Sequence, residues 1–313
     1  MFSCPVLFLD WLNVPEGTSI LEIAESIRAH EMVGVPVTPA IMENKKEALE
    51  ATKAIRDMGL KWNMLPWPVD FYQHYVEQDE FDKGIDTLKR WAELGQQMGV
   101  KYAFNHVMPS SPKPFDESFD WCVRRIYRVN QVMENNDINY GLEYVGEYDA
   151  RHAYDNEFVY TLPGIMALGD AAGNGVGFIY DTYHTHCGGR ENDDFHLALH
   201  NIDRISGVHF SDGMPGKTLE KQKDLTRSYP ETTGVVPSAS HVSRLLEAGY
   251  AGPVLIEPYN PDYFKHLKQI SFDQAMAEYS AGFKYAFRRE EMADENKAKF
   301  LALIRDHFLS ANE

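Results

Sequence analysis

The stretch GVGFIYDTYHTH, Gly175 to His186, opens as an apolar β-type run and closes on an acid and two histidines. A strand covered on both faces reads as a near-continuous apolar run. This one halts at Asp181 and then offers His184 and His186 within five residues. Other apolar runs end in the same manner. YGLEYVG, GVHFSD and VLIEPYN place Glu143, His209 and Glu257 at or near the ends of predicted strands.

Outward from this stretch, β-type runs alternate with longer helical patterns. The pattern predicts strands near Val6–Trp11, Val33–Val37, Lys61–Leu65, Val100–Val107, Asn139–Val145, Val176–Asp181, Ile205–Phe210 and Val254–Glu257. Between them lie amphipathic segments such as SILEIAESIRAH and KKEALEATKAIRDMG. Several of these end in glycine (Gly59, Gly99, Gly249), the residue that most readily takes the left-handed turn after a helix. Eight strands separated by helices predict a parallel (β/α)8 TIM barrel. An open dinucleotide-binding sheet is disfavoured, because no G-x-G-x-x-G follows the first strand.

No linker or composition shift divides the chain, so residues 1–313 are expected to form one barrel domain, with 271–313 a C-terminal helical extension. That extension packs on the barrel or on another subunit. The segment SDGMPGKTLEKQKDLTRSYPETTGVVPS is too long and polar for an ordinary βα connection, and reads as an active-site or partner-facing loop.

In this architecture chemistry sits at the C-terminal ends of the strands. Glu143, Asp181, His209 and Glu257 end four consecutive strands. Singly, such a glutamate is a solvated loop residue and such a histidine a hydrogen-bonded core residue. Together, three carboxylates and an imidazole cannot be buried cheaply without a cation. This oxygen-rich donor set suits Mn²⁺ most closely, with Mg²⁺ or Co²⁺ as alternatives, and does not suit a thiolate-rich structural zinc site. His106, ending the fourth strand, either faces the same mouth or is a core histidine bonded to a carbonyl. Asp212 either orients a ligand or caps a loop, and His186 reads as a loop residue. Trp11, Trp62, Trp67, Tyr144, Tyr183 and Tyr259 lie near strand ends, as an aromatic wall against substrate or as core.

Bulk properties narrow the partners. The chain is 44% hydrophobic and 25% charged, which are globular values. A net charge of −17 opposes nucleic-acid binding. Three dispersed cysteines make no disulfide framework. The start, MFSCPVLFLDWLNVPEG, has no basic leader, and no run approaches the roughly 20 apolar residues of a membrane span. A cytoplasmic protein is expected.

GFIYDTYH, ISGVHFSD and LLEAGYAGPVLIEPYN resemble the sixth-, seventh- and eighth-strand motifs of the xylose-isomerase-like TIM-barrel superfamily, which includes sugar isomerases, ketose 3-epimerases, hydroxypyruvate isomerases and the larger subunit of C-glycoside deglycosidases. The resemblance covers about Glu143 to Glu257. It implies a divalent metal on Glu143, Asp181, His209 and Glu257, proton exchange by Glu143 and Glu257, and a substrate contact from His184. His106 joins these as a catalytic candidate, and Asp149, Trp11, Trp67 and Tyr183 as substrate contacts. Two departures from the ketose 3-epimerases stand out. Gly146 and Glu147 replace an Asn-Arg pair, and no arginine follows His209 closely, Lys217 being the nearest cation.

The expected reaction is metal-assisted removal of a proton beside a carbonyl of a sugar or glycoside, giving an epimer or an aldose–ketose isomer. One alternative is a lyase that cleaves the C–C bond of 3-keto C-glycosides with a small β-rich partner. Another is a non-catalytic metal-binding barrel. A homo-oligomer or a hetero-oligomer with that small subunit is expected.

Overall fold

The apolar runs fold as eight parallel strands: β1 (Phe2–Cys4), β2 (Gly34–Val35), β3 (Lys61–Trp62), β4 (Tyr102–Val107), β5 (Asn139–Tyr144), β6 (Gly177–Asp181), β7 (Ile205–Phe210) and β8 (Pro253–Ile256). A computed structural model describes residues 1–5, 9–173 and 175–309. Six strands make one sheet in the order β1-β8-β7-β6-β5-β4, and β2 pairs with β3. Backbone bonds close the ring. Val33 N donates to Ser3 O (3.0 Å) on one side, and Leu65 N donates to Tyr102 O (2.9 Å) on the other. The result is the (β/α)8 barrel that the alternation predicts.

The first strand is displaced from its expected place. Of the predicted span Val6–Trp11, residues 6–8 lie outside the described residues, and Leu9–Trp11 forms a 3₁₀ turn. The strand is Phe2–Cys4, in register with Pro253–Leu255. Pro5 lacks an N–H and cannot extend that ladder. Among the short helices that the apolar pattern does not mark are Pro39–Glu43, Thr182–Cys187 and Pro261–Leu267. Each has a side-chain cap (Thr38, Asp181, Asn260) that takes up an orphan backbone N–H of its first turn.

Inside the barrel, Phe2, Cys4, Met64, Phe104, Ile179 and Leu255 form a buried plug. Gly207 belongs to the same layer, because a Cβ there would collide with Met64 and Ile179. Side chains alternate along a strand, so the residue two places on shares the inward face. From Phe104 that residue is His106, from Ile179 Asp181, from Gly207 His209, and from Leu255 Glu257. The period of two thus lifts polar groups above an apolar plug at the C-terminal mouth.

The C-terminal segment packs on the barrel's own helices. Phe272–Phe287 lies beside Ile20–Ala29, where Asp273 accepts from Ser26 Oγ (2.8 Å) and Glu31 meets Lys284 (3.1 Å). Beyond it, Phe300 and Phe308 pack edge-on to Tyr229.

Candidate metal centre and substrate cavity

Glu143, Asp181, His209 and Glu257 are all at most 5% exposed. Register explains their meeting: His106 lies opposite Glu143 across β4–β5, and Asp181 opposite His209 across β6–β7. Glu257 N continues the ladder past β8 by donating to Phe210 O (3.1 Å). His209 Nδ1 stands 2.9 Å from Glu143 Oε1 and 3.3 Å from Glu257 Oε1. Donor atoms of Asp181, His209 and Glu257 lie within 4.8 Å of one another, as do those of Glu143, Asp181 and His184.

These residues fit a divalent cation on a structural ground. Both Glu143 carboxylate oxygens and both His209 ring nitrogens are buried without a hydrogen-bond partner. They approach closely but do not donate to each other. Such groups are costly to bury unsatisfied, and converging donors of this kind are what a hard or borderline cation accepts.

Arg227 was not anticipated. It lies 18 residues beyond His209, in the long segment after β7, and is 1% exposed. Its Nη1 donates to Asp181 Oδ2 (2.8 Å) and Glu257 Oε2 (3.1 Å), and its Nη2 to His184 Nε2 (2.8 Å) and Asp224. The rings of Tyr183 and Tyr259 flank the guanidinium at 4.8 and 5.1 Å. The apparent lack of an arginine after His209 is therefore corrected: the cation returns through the loop, and Lys217 is exposed.

The loop is built to bring it back. Ser228 pairs with Asp212 through two backbone bonds (2.9 and 2.8 Å). The Asp212 carboxylate accepts from the backbone N–H groups of Gly213, Thr233, Gly234, Val235 and Val236. Of its two readings, Asp212 is the loop cap. Gln222 clasps Met214 N and O, each at 2.9 Å, and Tyr183 Oη donates to Lys223 O (2.7 Å). The segment thus folds over its own barrel.

Glu147 was seen only as a replacement for a familiar residue. It is 2% exposed and faces His184 Nδ1 at 3.0 Å. Asp149, expected at substrate, lines the cavity over the cluster at its exposed rim, paired with Lys223 (2.7 Å). His106 is half-exposed, with Nε2 2.9 Å from Glu143 Oε2. His186 pairs with Glu191 (2.8 Å), apart from the cluster. Trp11 and Tyr259 line the cavity over the cluster, a space of about 560 Å³ also lined by His106, Glu147, His184, Arg227 and Glu257. Trp67 lines a neighbouring cavity. Trp62 donates to Thr52, Tyr144 bonds Thr185, and Tyr183 is fully buried behind the arginine.

Five carboxylates (Glu143, Glu147, Asp181, Asp224, Glu257) thus surround one guanidinium and three imidazoles. The field is visible in the titrating groups. Burial would push Glu143 up, but His209 and His106 outweigh it and hold its carboxyl well below the usual range. Burial pushes Glu257 up, and there His209 and Arg227 do not fully reverse it against Glu143 and Asp181. Burial lowers His209, yet Glu143 and Glu257 raise it to about 9. The site demands positive charge at that point. Burial lowers His184 too, but Glu147 and Asp181 raise it to about 9 against Arg227. The Arg227 Nη2–H needs His184 Nε2 as an acceptor, since a guanidinium can only donate. Glu147 Oε2 (3.0 Å) and the Gly146 backbone N–H (3.3 Å) both approach His184 Nδ1 on its other side.

Residues 30–278 match the family described as xylose isomerase-like TIM barrel, and the chain belongs to it. It is 22% identical over 182 residues to an inosose isomerase of Bacillus licheniformis, covering 58% of this chain and 62% of that one. A xylose isomerase domain protein from Alicyclobacillus acidocaldarius superposes with TM-score 0.70 at 21% identity, over 91% of this chain and 98% of that one. The IolI protein, solved with a bound zinc atom, superposes with TM-score 0.67 at 17% identity, over 88% and 95%. Among the described residues no helix is long and apolar enough to cross a membrane.

Proposed function

We propose that this chain is a divalent-metal-dependent enzyme that removes and returns a proton beside a carbonyl of a sugar-like substrate, as an isomerase or epimerase. The observation that carries this reading is the buried convergence of Glu143, Asp181, His209 and Glu257, with the Glu143 and His209 polar atoms left without hydrogen-bond partners. Those four residues would hold the cation, Mn²⁺ by donor type. When bound, it supplies Lewis acidity toward a carbonyl oxygen and an adjacent hydroxyl.

The remaining work falls to the chain. Glu143, held ionised, accepts the carbon-bound proton; Glu257, pushed the other way, is the group suited to hold and return one. Return to the same carbon from the opposite face gives an epimer, and return to the neighbouring carbon an aldose–ketose isomer. His184 and Arg227 line the cavity where the substrate would lie, Arg227 balancing the carboxylates around it, and the half-exposed His106 stands at the entrance. The similarity to an inosose isomerase supports a polyol-type ketone as the substrate class. A screen of the Mn²⁺-loaded chain against ketoses, inososes and 3-keto-glycosides in D₂O tests this. Deuterium incorporation at a carbon next to the carbonyl is expected, and its absence from every substrate would refute the assignment.

A further inference from the structure

Three consecutive residues of the long loop run to three different anchors. Arg227 enters the acidic cluster, and Ser228 pairs with Asp212 through backbone bonds of 2.9 and 2.8 Å. Tyr229, fully buried, turns instead to the C-terminal helices. Its ring stands edge-on to Phe300 at 5.1 Å, to Tyr263 at 5.6 Å and to Phe308 at 5.8 Å, with Tyr279 tilted at 6.2 Å. Its hydroxyl donates to Tyr263 Oη, because Tyr263 gives its one proton to Glu278 Oε2 (3.0 Å).

The seat is cut for this ring. Gly282 lies inside the helix Phe272–Phe287, where glycine weakens a helix relative to alanine. A Cβ at Gly282 would come within 2.4 Å of Tyr229 Cδ1, 2.5 Å of its Cε1 and 2.9 Å of Ile256 Cδ1. Gly282, Phe300 and Phe308 all lie beyond residues 30–278, the span that matches the family. An aromatic side chain buried among four rings is a strong anchor, and this one sits two residues from the arginine. The guanidinium in turn donates to Asp181 and Glu257, two of the four residues offered to a cation. A cation and the guanidinium want the same oxygens and repel each other, so whatever holds one in place weakens the other.

We propose that Tyr229 is a positioning residue through which the C-terminal helices hold Arg227 in the acidic cluster, so that this extension sets how tightly the barrel mouth takes up a divalent cation. The second half of this statement rests on the metal reading of the cluster, and the first does not.

Calorimetric titration of the full chain with Mn²⁺ tests it, on Phe308→Ala, which opens the seat, and on Gly282→Ala, which fills it. The second adds one methyl group and serves if the first does not fold. With the anchor loosened the guanidinium can withdraw, so in each variant the Mn²⁺ dissociation constant should fall about fivefold or more. In an Arg227→Met background neither substitution should change it. A merely structural role would weaken binding or leave it alone. Equal or weaker Mn²⁺ binding in the folded variants, or a tightening that survives in the Arg227→Met background, overturns the proposal. If no form of the chain binds Mn²⁺, the metal reading fails and amide hydrogen exchange in chelator decides the anchor. Exchange over residues 224–236 that rises about tenfold while the helix Gln78–Met98 keeps its protection upholds the positioning role. Unchanged protection of that segment in both folded variants overturns it.

Discussion

Replacing Arg227 by methionine tests the electrostatic account of the site more directly than changing any carboxylate. The guanidinium donates to Asp181 at 2.8 Å, to Glu257 at 3.1 Å and to His184 at 2.8 Å, and it is 1% exposed. At such separations, with an effective dielectric of about 20, each charge pair is worth roughly 4 kcal/mol before desolvation. Removing one member of a buried network leaves the others uncompensated, at a cost of about 3–5 kcal/mol. For a chain of this size that corresponds to a melting point lowered by roughly 6–10 °C, taking about 2 °C per kcal/mol. The assay is differential scanning calorimetry in chelator and again with Mn²⁺. The deficit should be full in chelator and smaller with Mn²⁺, because a bound cation compensates the same carboxylates. Arg227→Lys should fall between the wild type and Arg227→Met, keeping the charge but losing the forked contact. A methionine variant melting within about 1 °C of wild type in chelator would show that the guanidinium does not balance this cluster.

Glu143→Gln and Glu257→Gln should each lower kcat by about 10²–10⁴-fold, with KM changed far less, once metal content is equalised; wild-type α-proton exchange in both would refute the acid–base roles. Chelation should abolish turnover and Mn²⁺ restore it, and Mn²⁺ at about 100 times its dissociation constant should add about 2.7 kcal/mol of stability. Asp212→Ala removes the acceptor of five backbone N–H groups, so limited proteolysis between residues 213 and 234 should accelerate severalfold while the barrel helices stay protected. His241, stacked on Phe195 and bonded to Tyr180, is lowered to about 4, chiefly by burial. Above pH 6.5 its contribution to stability is complete. As pH falls from 6.5 to 4 the unfolded chain takes up a proton that the fold refuses, so up to about 3 kcal/mol should be lost, and His241→Phe should flatten that part of the pH–stability curve.

The barrel was legible because its signal is local and repeated. β7 falls on its predicted residues, Ile205–Phe210, and the later strands deviate only at their ends. The early strands were harder. β2 and β3 are two residues each, too short for an alternation to declare itself, and they join the ring through single bonds from Val33 and Leu65 that no apolar pattern encodes. At the N-terminus the apolar run from Val6 to Trp11 outweighed the three residues Phe2–Cys4, whose strand identity comes from pairing with Pro253–Leu255 and not from their own composition.

The candidate site divides along the same line. Glu143, Asp181, His209 and Glu257 could be read because each occupies a fixed place, the mouth end of a strand, where the period of two aims it inward. Glu147 is on a loop and Arg227 is deep in a 28-residue polar segment, where spacing from a strand says nothing about direction. What brings Arg227 home is an aspartate three residues past His209 that gathers five backbone N–H groups and pairs Asp212 with Ser228. The physical clue lay in charge balance: the acids of the mouth needed a buried cation, and this loop held a single arginine among three lysines. Arginine, with its weak hydration and forked donors, is the side chain that can be desolvated among several carboxylates. An acid-rich barrel mouth therefore directs the search to the longest loop that can fold over it, and within that loop to its arginine before its lysines.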